Sequence, residues 1–233
     1  MKLFNILLNE KVLFLNFIIF LSINSLAQTG RVEFGTKYLG MSLDTSRVKM
    51  PEVMDHVLMH DSNSKIALAG DESYFTLEFN DKGAITSYIP MMEIDHHRLL
   101  PKDYIMLGEY LFKENILYET RSIGKEKYYV KMNISHKWEL IDEYKTILGY
   151  KCQKAKTHFN TGKRVIPIIA WFTIDIPVSY GPYRYFGLPG LILEIKELGR
   201  LHYARKINLN KKYNLRFPDE KFLITKEELS KLY

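Results

Sequence analysis

Apolar and polar residues alternate along much of this chain, and a period of two residues predicts β-strands with one buried face. Phe75, Leu77 and Phe79 alternate with polar residues in this way. Turn-forming residues follow at 80–83, and residues 84–89 have the composition of a partner strand. The pattern therefore predicts an antiparallel hairpin in this region.

A second hairpin is predicted later in the chain. Apolar residues occupy alternate positions of residues 191–195, Gly199 interrupts the run, and the alternation resumes over residues 201–209. Pro167 cannot donate a backbone hydrogen bond, so its strand is expected at an edge or a bulge. Other segments rich in the strand-favouring residues Tyr, Ile, Val and Trp are residues 116–120, 127–134, 137–141, 147–158 and 164–172.

Helix signals are few. Pro51 suits a first helical position, and the apolar residues after it have helical spacing, so a helix is expected over residues 51–60. Thr225 and Glu228 have the spacing of a capping box ahead of a short C-terminal helix. Together these elements predict a mainly β fold: a curved antiparallel sheet, half-barrel or sandwich-like, with one or two short helices.

The N-terminus has the features of a secretory signal peptide over residues 1–27. Two lysines supply positive charge, residues 12–23 form a short apolar run, and small residues precede an expected cleavage between Ala27 and Gln28. A retained membrane anchor is the alternative, although the run is shorter than the roughly 20 residues of a bilayer span. We therefore expect a periplasmic or secreted protein with no stable membrane insertion after cleavage.

The remaining residues 28–233 carry no linker-like tract, so one domain is expected. Removal of the signal peptide changes the net charge from +6 to +5, and the cations are spread without a long run, so no nucleic-acid partner is predicted. Cys152 is the only cysteine, and an internal disulfide is therefore excluded.

The stretch from Gly187 to Ile192 reads Gly-Leu-Pro-Gly-Leu-Ile: residues Gly187, Leu188, Pro189, Gly190, Leu191 and Ile192. Blocks around Trp138, Cys152 and Trp171 precede it in order, and the chain thereby resembles the GLPGLI family, secreted envelope proteins of Gram-negative bacteria without an established biochemical role. The resemblance implies a secreted setting and a β-rich fold. It supplies no catalytic residue and no cofactor.

Aromatic residues and one arginine crowd into the segment just before this motif: Tyr180, Tyr183, Arg184, Tyr185 and Phe186. Prolines and glycines punctuate the segment, and Pro189-Gly190 predicts a type II turn with Gly190 at positive φ. Rigid rings beside an arginine are suited to binding a peptide, glycan or lipid. The alternative is that the rings pack inward and close one end of the sheet.

Two other groups of residues are candidates for a metal site or a catalytic site. His56 and His60 lie four residues apart, a spacing that can bind zinc on one helix face if a third ligand such as His96 or His97 approaches. Unrelated surface histidines are the alternative. Cys152 precedes His158 by six residues, a spacing that can place a nucleophile and a base on the same strand face, but its alternation with Leu148 and Tyr150 indicates a small core residue instead.

These observations favour a non-enzymatic periplasmic envelope protein that binds an apolar, peptide or protein ligand, with an envelope protein, a peptide or a lipid as partner. No metal and no cofactor are predicted. The alternative is a periplasmic hydrolase with an unrecognised site, which would be metal-dependent if the histidines bind zinc. A cluster of histidines and carboxylates around a pocket would favour that alternative.

Overall fold

The computed structural model describes residues 29–40, 51–70, 72, 74–90, 108–160, 162, 165–209, 213 and 215–232. Residues 1–28, with the expected cleavage site at Ala27 and Gln28, lie outside the described residues, as do His96 and His97. The described strands form one open sheet of twelve strands, so the predicted mainly β fold with a curved antiparallel sheet is confirmed.

The strands are β1 (Gly30–Tyr38), β2 (Phe75–Asn80), β3 (Gly83–Tyr88), β4 (Tyr110–Lys113), β5 (Ile116–Ile123), β6 (Glu126–Met132), β7 (Glu139–Ile147), β8 (Tyr150–Asn160), β9 (Val165–Thr173), β10 (Leu191–Glu197), β11 (Arg200–Asn208) and β12 (Leu223–Ile224). The helices of the described residues are α1 (Pro51–Ala67) and α2 (Lys226–Leu229), with a 3-10 turn at Glu220–Phe222.

Strand β1 joins two wings of the sheet. On one side of β1, strands β2 to β6 follow one another as an antiparallel meander of shorter strands, which we call the short wing. On the other side, β11 to β7 do the same in reverse order with longer strands, and we call them the long wing. Strand β12 adds to β6 in parallel, and β7 ends the opposite wing. Because consecutive strands are neighbours, most of the sheet is built from local hairpins.

Both predicted hairpins are present. Strands β2 and β3 pair from Phe75 opposite Tyr88 to Asn80 opposite Gly83, and β10 pairs with β11 up to a turn at Leu198 and Gly199. The extra residue at Arg205, which interrupts the apolar alternation, coincides with a bulge in the pairing of β1 with β11. The period of two residues therefore identified these strands correctly.

The segment around residues 139–150 differs from the prediction. The sequence predicts separate strand segments at residues 137–141 and 147–158, whereas one strand, β7, runs through residues 139–147 with a bulge at Asp142 and Glu143. The turn lies at Leu148 and Gly149. Leu148 is consequently exposed and does not share a buried strand face with Cys152. A bulge adds residues to a strand while the strand stays paired. Residue composition alone does not distinguish a bulge from a turn.

Pro167 lies at an edge, as predicted. It pairs with His158 of β8, whereas β10 begins its pairing with β9 only at Ile169. The β8–β9 hairpin therefore projects beyond β10, and Pro167 lies where β9 has a neighbouring strand on one side.

The predicted helix at residues 51–60 exists and continues to Ala67. Tyr38 donates a hydrogen bond to Asp61 at 2.5 Å, which ties α1 to the end of β1. The C-terminal capping box is also present, with Thr225 accepting from the Glu228 backbone and the Glu228 carboxylate accepting from the Thr225 backbone. Neither helix in the described part of the chain is long and apolar enough to span a membrane.

Candidate functional site

One face of β1 and the long wing carries a row of residues most of which are small or polar. Thr36, His202, Ile195, Ala170 and Ala155 lie directly opposite one another on successive strands, and all five are buried. Directly opposite residues share a face of the sheet, which we call the inner face. Alanine leaves space above a sheet, so this face can accept a second layer of side chains.

That layer is the segment between β9 and β10, residues 174–190, which we call the aromatic loop. Its Tyr185 and Leu188 pack with Ala155 and Ala170 of the long wing, in one buried apolar cluster. The small alanines thus provide the space that the loop fills.

The aromatic loop also contacts the short wing. The ring of Tyr183 lies 4.2 Å from that of Phe75 in β2, and the ring of Phe186 lies 4.9 Å from that of Phe112 in β4. A single loop can contact both wings only if the sheet curves around it. The half-barrel is therefore formed around its own loop.

A polar network fixes the loop to the sheet. The Nδ1 atom of His202 lies 2.9 Å from the Thr36 hydroxyl and 3.0 Å from the Tyr183 hydroxyl, with all three residues buried. Burial, followed by the positive charges of Arg200 and Arg184, lowers the pKa of His202 to about 3. His202 is therefore neutral near pH 7, when Nδ1 can accept a hydrogen bond from a hydroxyl group.

A second part of the network centres on Glu197, at the end of β10. One oxygen of its carboxylate accepts a hydrogen bond of 2.8 Å from Arg184 and another, short one from the Tyr185 hydroxyl. Burial, and then the Glu197 charge, raise the pKa of Tyr185. The Arg184 guanidinium also lies over the ring of Phe159, 5.3 Å from its centre. Arg184 is thus already engaged by a carboxylate and a ring.

The connection from β6 to β7, residues 133–138, closes over the loop from the other side. His136 Nε2 donates to the Arg184 carbonyl and Trp138 Nε1 donates to the Phe186 carbonyl, each at 2.8 Å. Burial lowers the pKa of His136, which favours the neutral ring. This connection joins the two wings, so its hydrogen bonds hold the loop where the sheet is open.

The aromatic loop leaves little space between itself and the short wing. A cavity between the loop and the short wing, lined in part by Thr86, Tyr110, Tyr183 and Tyr185, has a volume of about 10 Å³. That is about one water position and far below the space that a small-molecule ligand requires. Tyr183 and Tyr185, which bond to His202 and Glu197, thus line a space too small for a substrate.

The predicted site residues divide between interior and surface. Tyr183 and Tyr185 are buried, whereas Tyr180, Arg184 and Phe186 are half-buried. The half-buried rings still pack against the core, since Tyr180 and Phe186 both contact Phe112. Whether these five residues bind a ligand stays a prediction, and what the structure describes is their contact with the sheet.

The Gly-Leu-Pro-Gly-Leu-Ile motif holds the second half of the loop. Leu188, Leu191 and Ile192 are buried, and Gly187 takes a positive φ of 91°. The prediction of positive φ at Gly190 is wrong. Gly190 is needed for a different reason, because a Cβ atom there would lie 2.0 Å from the Thr173 carbonyl oxygen.

The cysteine and histidine hypotheses have separate outcomes. Cys152 is fully buried, and burial raises the pKa of its thiol to about 11, which opposes a nucleophilic thiolate; His158 is exposed. His56 and His60 lie on α1 as predicted, both exposed. Among the described residues no group of three metal-ligating side chains is present.

Sequence reasoning did not single out His202, Glu197 or Thr36. One signal was available: polar residues occupy inner-face positions of otherwise apolar strands, as in Ile195-Lys196-Glu197 and Arg200-Leu201-His202. Buried polar groups require hydrogen-bond partners, so such positions predict a network. The partners themselves come from a distant loop and are not evident from the sequence.

The region that contains the loop has sequence relatives of unknown function. A family described as "Protein of unknown function (Porph_ging)" matches residues 156–194, from β8 through the aromatic loop into β10. This match supports the inference of a family without an assigned activity, while the GLPGLI name stays a prediction. No curated protein matches the chain.

Solved structures share the fold. Two structures of PNGF-II are similar to this chain, one in space group P21 with 14% identity and a TM-score of 0.55, the other in C2 with 15% and 0.54. Each alignment covers 88% of this chain but only 33% and 32% of the respective PNGF-II chain. The chain thus spans about a third of these structures, and at this identity the likeness concerns the fold alone.

Proposed function

We propose that this protein is a non-enzymatic protein of the periplasm that binds a peptide or protein partner at its surface. The observation that carries the proposal is the filled inner face. An apolar ligand would have to occupy the space above Ala155 and Ala170, and Tyr185 and Leu188 already occupy it. The sequence predicts an apolar, a peptide or a protein ligand, and the filled inner face favours a peptide or protein over an apolar ligand.

The uncovered part of the inner face lies on β7. Leu140 lies opposite Ala155 and Tyr144 lies opposite Gln153, so both point to the inner side at the free end of the sheet. Their exposed fractions are 51% and 50%, high for large apolar side chains. Among the described strands only β8 pairs with β7. A partner chain that packs here would extend the inner layer that the aromatic loop begins.

The bulge in β7 limits how a partner can bind. Asp142 and Glu143 interrupt the strand, and charges with a bulge at an edge oppose continuous strand pairing and aggregation. A partner is therefore expected to contact the Leu140 and Tyr144 side chains rather than to add a long regular strand. This arrangement also reduces pairing between two copies of β7, because the acidic residues would face each other.

The hydrolase alternative has less support. The cluster of the buried His202 and the half-buried Glu197 and Arg184 resembles the constellation expected for such a site. However, its hydrogen-bond partners Tyr183 and Tyr185 line a cavity of only about 10 Å³. Its distances are those of a structural network that positions the loop. An enzymatic activity would therefore require a site other than this cluster.

Two measurements on protein from the periplasmic fraction test the proposal. The intact mass should correspond to a chain beginning at Gln28, and the native mass should show no lipid-sized adduct that dissociates on denaturation. A full-length mass in the membrane fraction contradicts the location, and a stoichiometric apolar ligand contradicts the filled interior.

The surface is tested by a photo-crosslinking residue at Tyr144, with Leu232 as a control of similar exposure at 45%. We expect a discrete crosslinked protein product at Tyr144 and none at Leu232, and its loss in Leu140→Lys. Equal labelling at both positions would show non-specific capture and contradict a partner site on β7.

A further inference from the structure

The outer face of the long wing carries a regular row of lysines. Lys37, Leu201, Lys196, Ile169 and Lys156 lie directly opposite one another on five successive strands, β1, β11, β10, β9 and β8. Every second strand thus contributes a lysine, and all three lysines are exposed. Neighbouring strands lie about 4.8 Å apart, so the cations recur roughly every 10 Å across the sheet.

Few carboxylates neutralise this row. Lys156 pairs with Glu139 at 2.9 Å, but both side chains are more than half exposed, and such surface pairs contribute little. Within the part of the chain that the structure describes, Lys37 and Lys196 form no ion pair. The row therefore presents unneutralised positive charge to solvent.

Two aromatic rings occupy the adjacent row of the same face. Tyr203 and Trp171 lie on β11 and β9, on either side of Glu194 of β10. Gly35 lies opposite Tyr203, and a Cβ atom on Gly35 would come within 2.9 Å of the tyrosine ring. Glycine at this position thus allows the ring to lie over β1. The two rings, like the lysines, are two strands apart, or roughly 10 Å.

Lysines also approach these rings. Lys37 Nζ lies 5.1 Å from the centre of the Tyr203 ring, and Lys145 Nζ lies 4.4 Å from that of Trp171. Lys145 also pairs with Glu194, at 2.6 Å, whereas Lys37 lies over the Tyr203 ring. On this face the aromatic rings and the cations each recur at the same distance of roughly 10 Å. Aromatic rings can stack on sugar rings and lysines can bind acidic groups, so the face suits a polymer in which the two alternate.

We infer that this outer face binds an anionic polysaccharide, whose chain runs across the strands and places its acidic groups on Lys37, Lys196 and Lys156 and its sugar rings on Tyr203 and Trp171. The surface is separate from β7 and goes beyond the partner proposed above. A flexible polymer can follow the outside of a curved sheet. A flat membrane cannot contact all five strands of such a surface at once, which makes a lipid surface the weaker fit.

Binding of the full chain to polygalacturonate, measured by calorimetry, tests the inference, with neutral dextran as the reference polymer. At about 0.1 M ionic strength, where exposed charges are partly screened, we expect binding to polygalacturonate and none to dextran. Replacing all three lysines (Lys37→Gln, Lys196→Gln and Lys156→Gln) should weaken binding by roughly tenfold or more, the effect of losing several charged contacts.

The matched control removes the same charge elsewhere. Lys82, Lys125 and Lys131 are exposed on the short wing, and their combined change to glutamine should leave the dissociation constant within about twofold, far less than the tenfold loss above. If both triple variants lose the same affinity for polygalacturonate, the effect comes from net charge alone, and the inference is overturned.

The aromatic part of the face distinguishes polysaccharide from other polyanions. Tyr203→Ala should weaken binding to polygalacturonate and Tyr203→Phe should restore it, because phenylalanine keeps the ring. Polyglutamate that binds as tightly and is indifferent to Tyr203→Ala would identify an acidic peptide surface. Vesicles of phosphatidylglycerol that bind more tightly than polygalacturonate, with the same lysine dependence, would identify a membrane surface. Either outcome overturns the polysaccharide assignment.

Discussion

Small residues decide where the aromatic loop can lie. Ala155 and Ala170 leave space on the inner face, and Gly190 allows the backbone of the loop to pass close to the Thr173 carbonyl at the end of β9. These positions allow the loop to pack because their side chains are small or absent, and a larger side chain at any of them would clash with neighbouring atoms. The cost of an added group in a packed interior depends on how far its neighbours can move.

Gly190→Ala should lower the free energy of unfolding by about 1–3 kcal/mol, because the new Cβ meets a backbone carbonyl that cannot shift easily. Urea denaturation measures the change. Gly124→Ala is the control, since Gly124 has a positive φ of 58° but no atom within contact distance of an added Cβ. A loss at Gly190 no larger than that at Gly124 would contradict the role of close approach.

The buried histidine should make stability depend on pH. Burial and the nearby arginines lower the pKa of His202 to about 3, whereas an unfolded histidine titrates near 6.5. Between these values the unfolded state binds a proton that the folded state does not, so stability is complete above about pH 6.5 and falls as the pH falls, by up to roughly 1.4 kcal/mol per unit.

His202→Gln should reduce this dependence between about pH 6.5 and pH 4.5, above the range in which carboxylates dominate, while His136, whose pKa burial also lowers, keeps a part of it. Urea unfolding at a series of pH values gives the slope. His158→Gln, at an exposed position, should keep the wild-type slope. If the slope of unfolding free energy against pH is unchanged in His202→Gln, the pKa of the buried His202 is not lowered by its surroundings.

At the scale of elements, the sheet is assembled from hairpins whose turns are unusual. Leu148-Gly149 and Leu198-Gly199 both place leucine in the left-handed conformation, with φ of 50° and 44°. Two-residue turns with both φ values positive normally use asparagine, aspartate or glycine at the first position. Both leucines are also largely exposed, so core packing does not compensate for the backbone strain.

Leu198→Asn should therefore raise the free energy of unfolding by about 0.5–1 kcal/mol, because asparagine tolerates the left-handed region better than leucine. Thermal and urea unfolding measure the gain. Leu198→Ala is the control, since alanine removes the exposed side chain but keeps the strain. If Leu198→Ala stabilises as much as Leu198→Asn, the gain comes from the lost apolar surface and not from the turn.

At the scale of the whole molecule, the two wings are held together by segments that cross between them. The connection at residues 133–138 bonds to the aromatic loop through His136 and Trp138, while Tyr183 and Phe186 contact the short wing. The curved sheet therefore encloses its own loop, and the uncovered surfaces are the free strand β7 and the outer face. These are the two surfaces for which we propose binding partners.

Local patterns were sufficient for most of the elements. The hairpins of β2–β3 and β10–β11, the helix that begins at Pro51 and the capping box at Thr225 all follow from periodicity and turn chemistry within a few residues. These features depend on neighbours along the chain, which the sequence displays directly. The bulge at Asp142 was missed because a bulge and a turn have similar composition.

The position of the aromatic loop was decided only by the tertiary structure. The sequence showed a cluster of rings and an ordered Gly/Pro segment, and both an inward and an outward orientation were compatible with it. The inward packing of Tyr183 and Tyr185 depends on Phe75, more than a hundred residues earlier, and on Glu197 and His202 beyond the loop. Such contacts depend on the space that the curved sheet leaves, and no local pattern encodes that space.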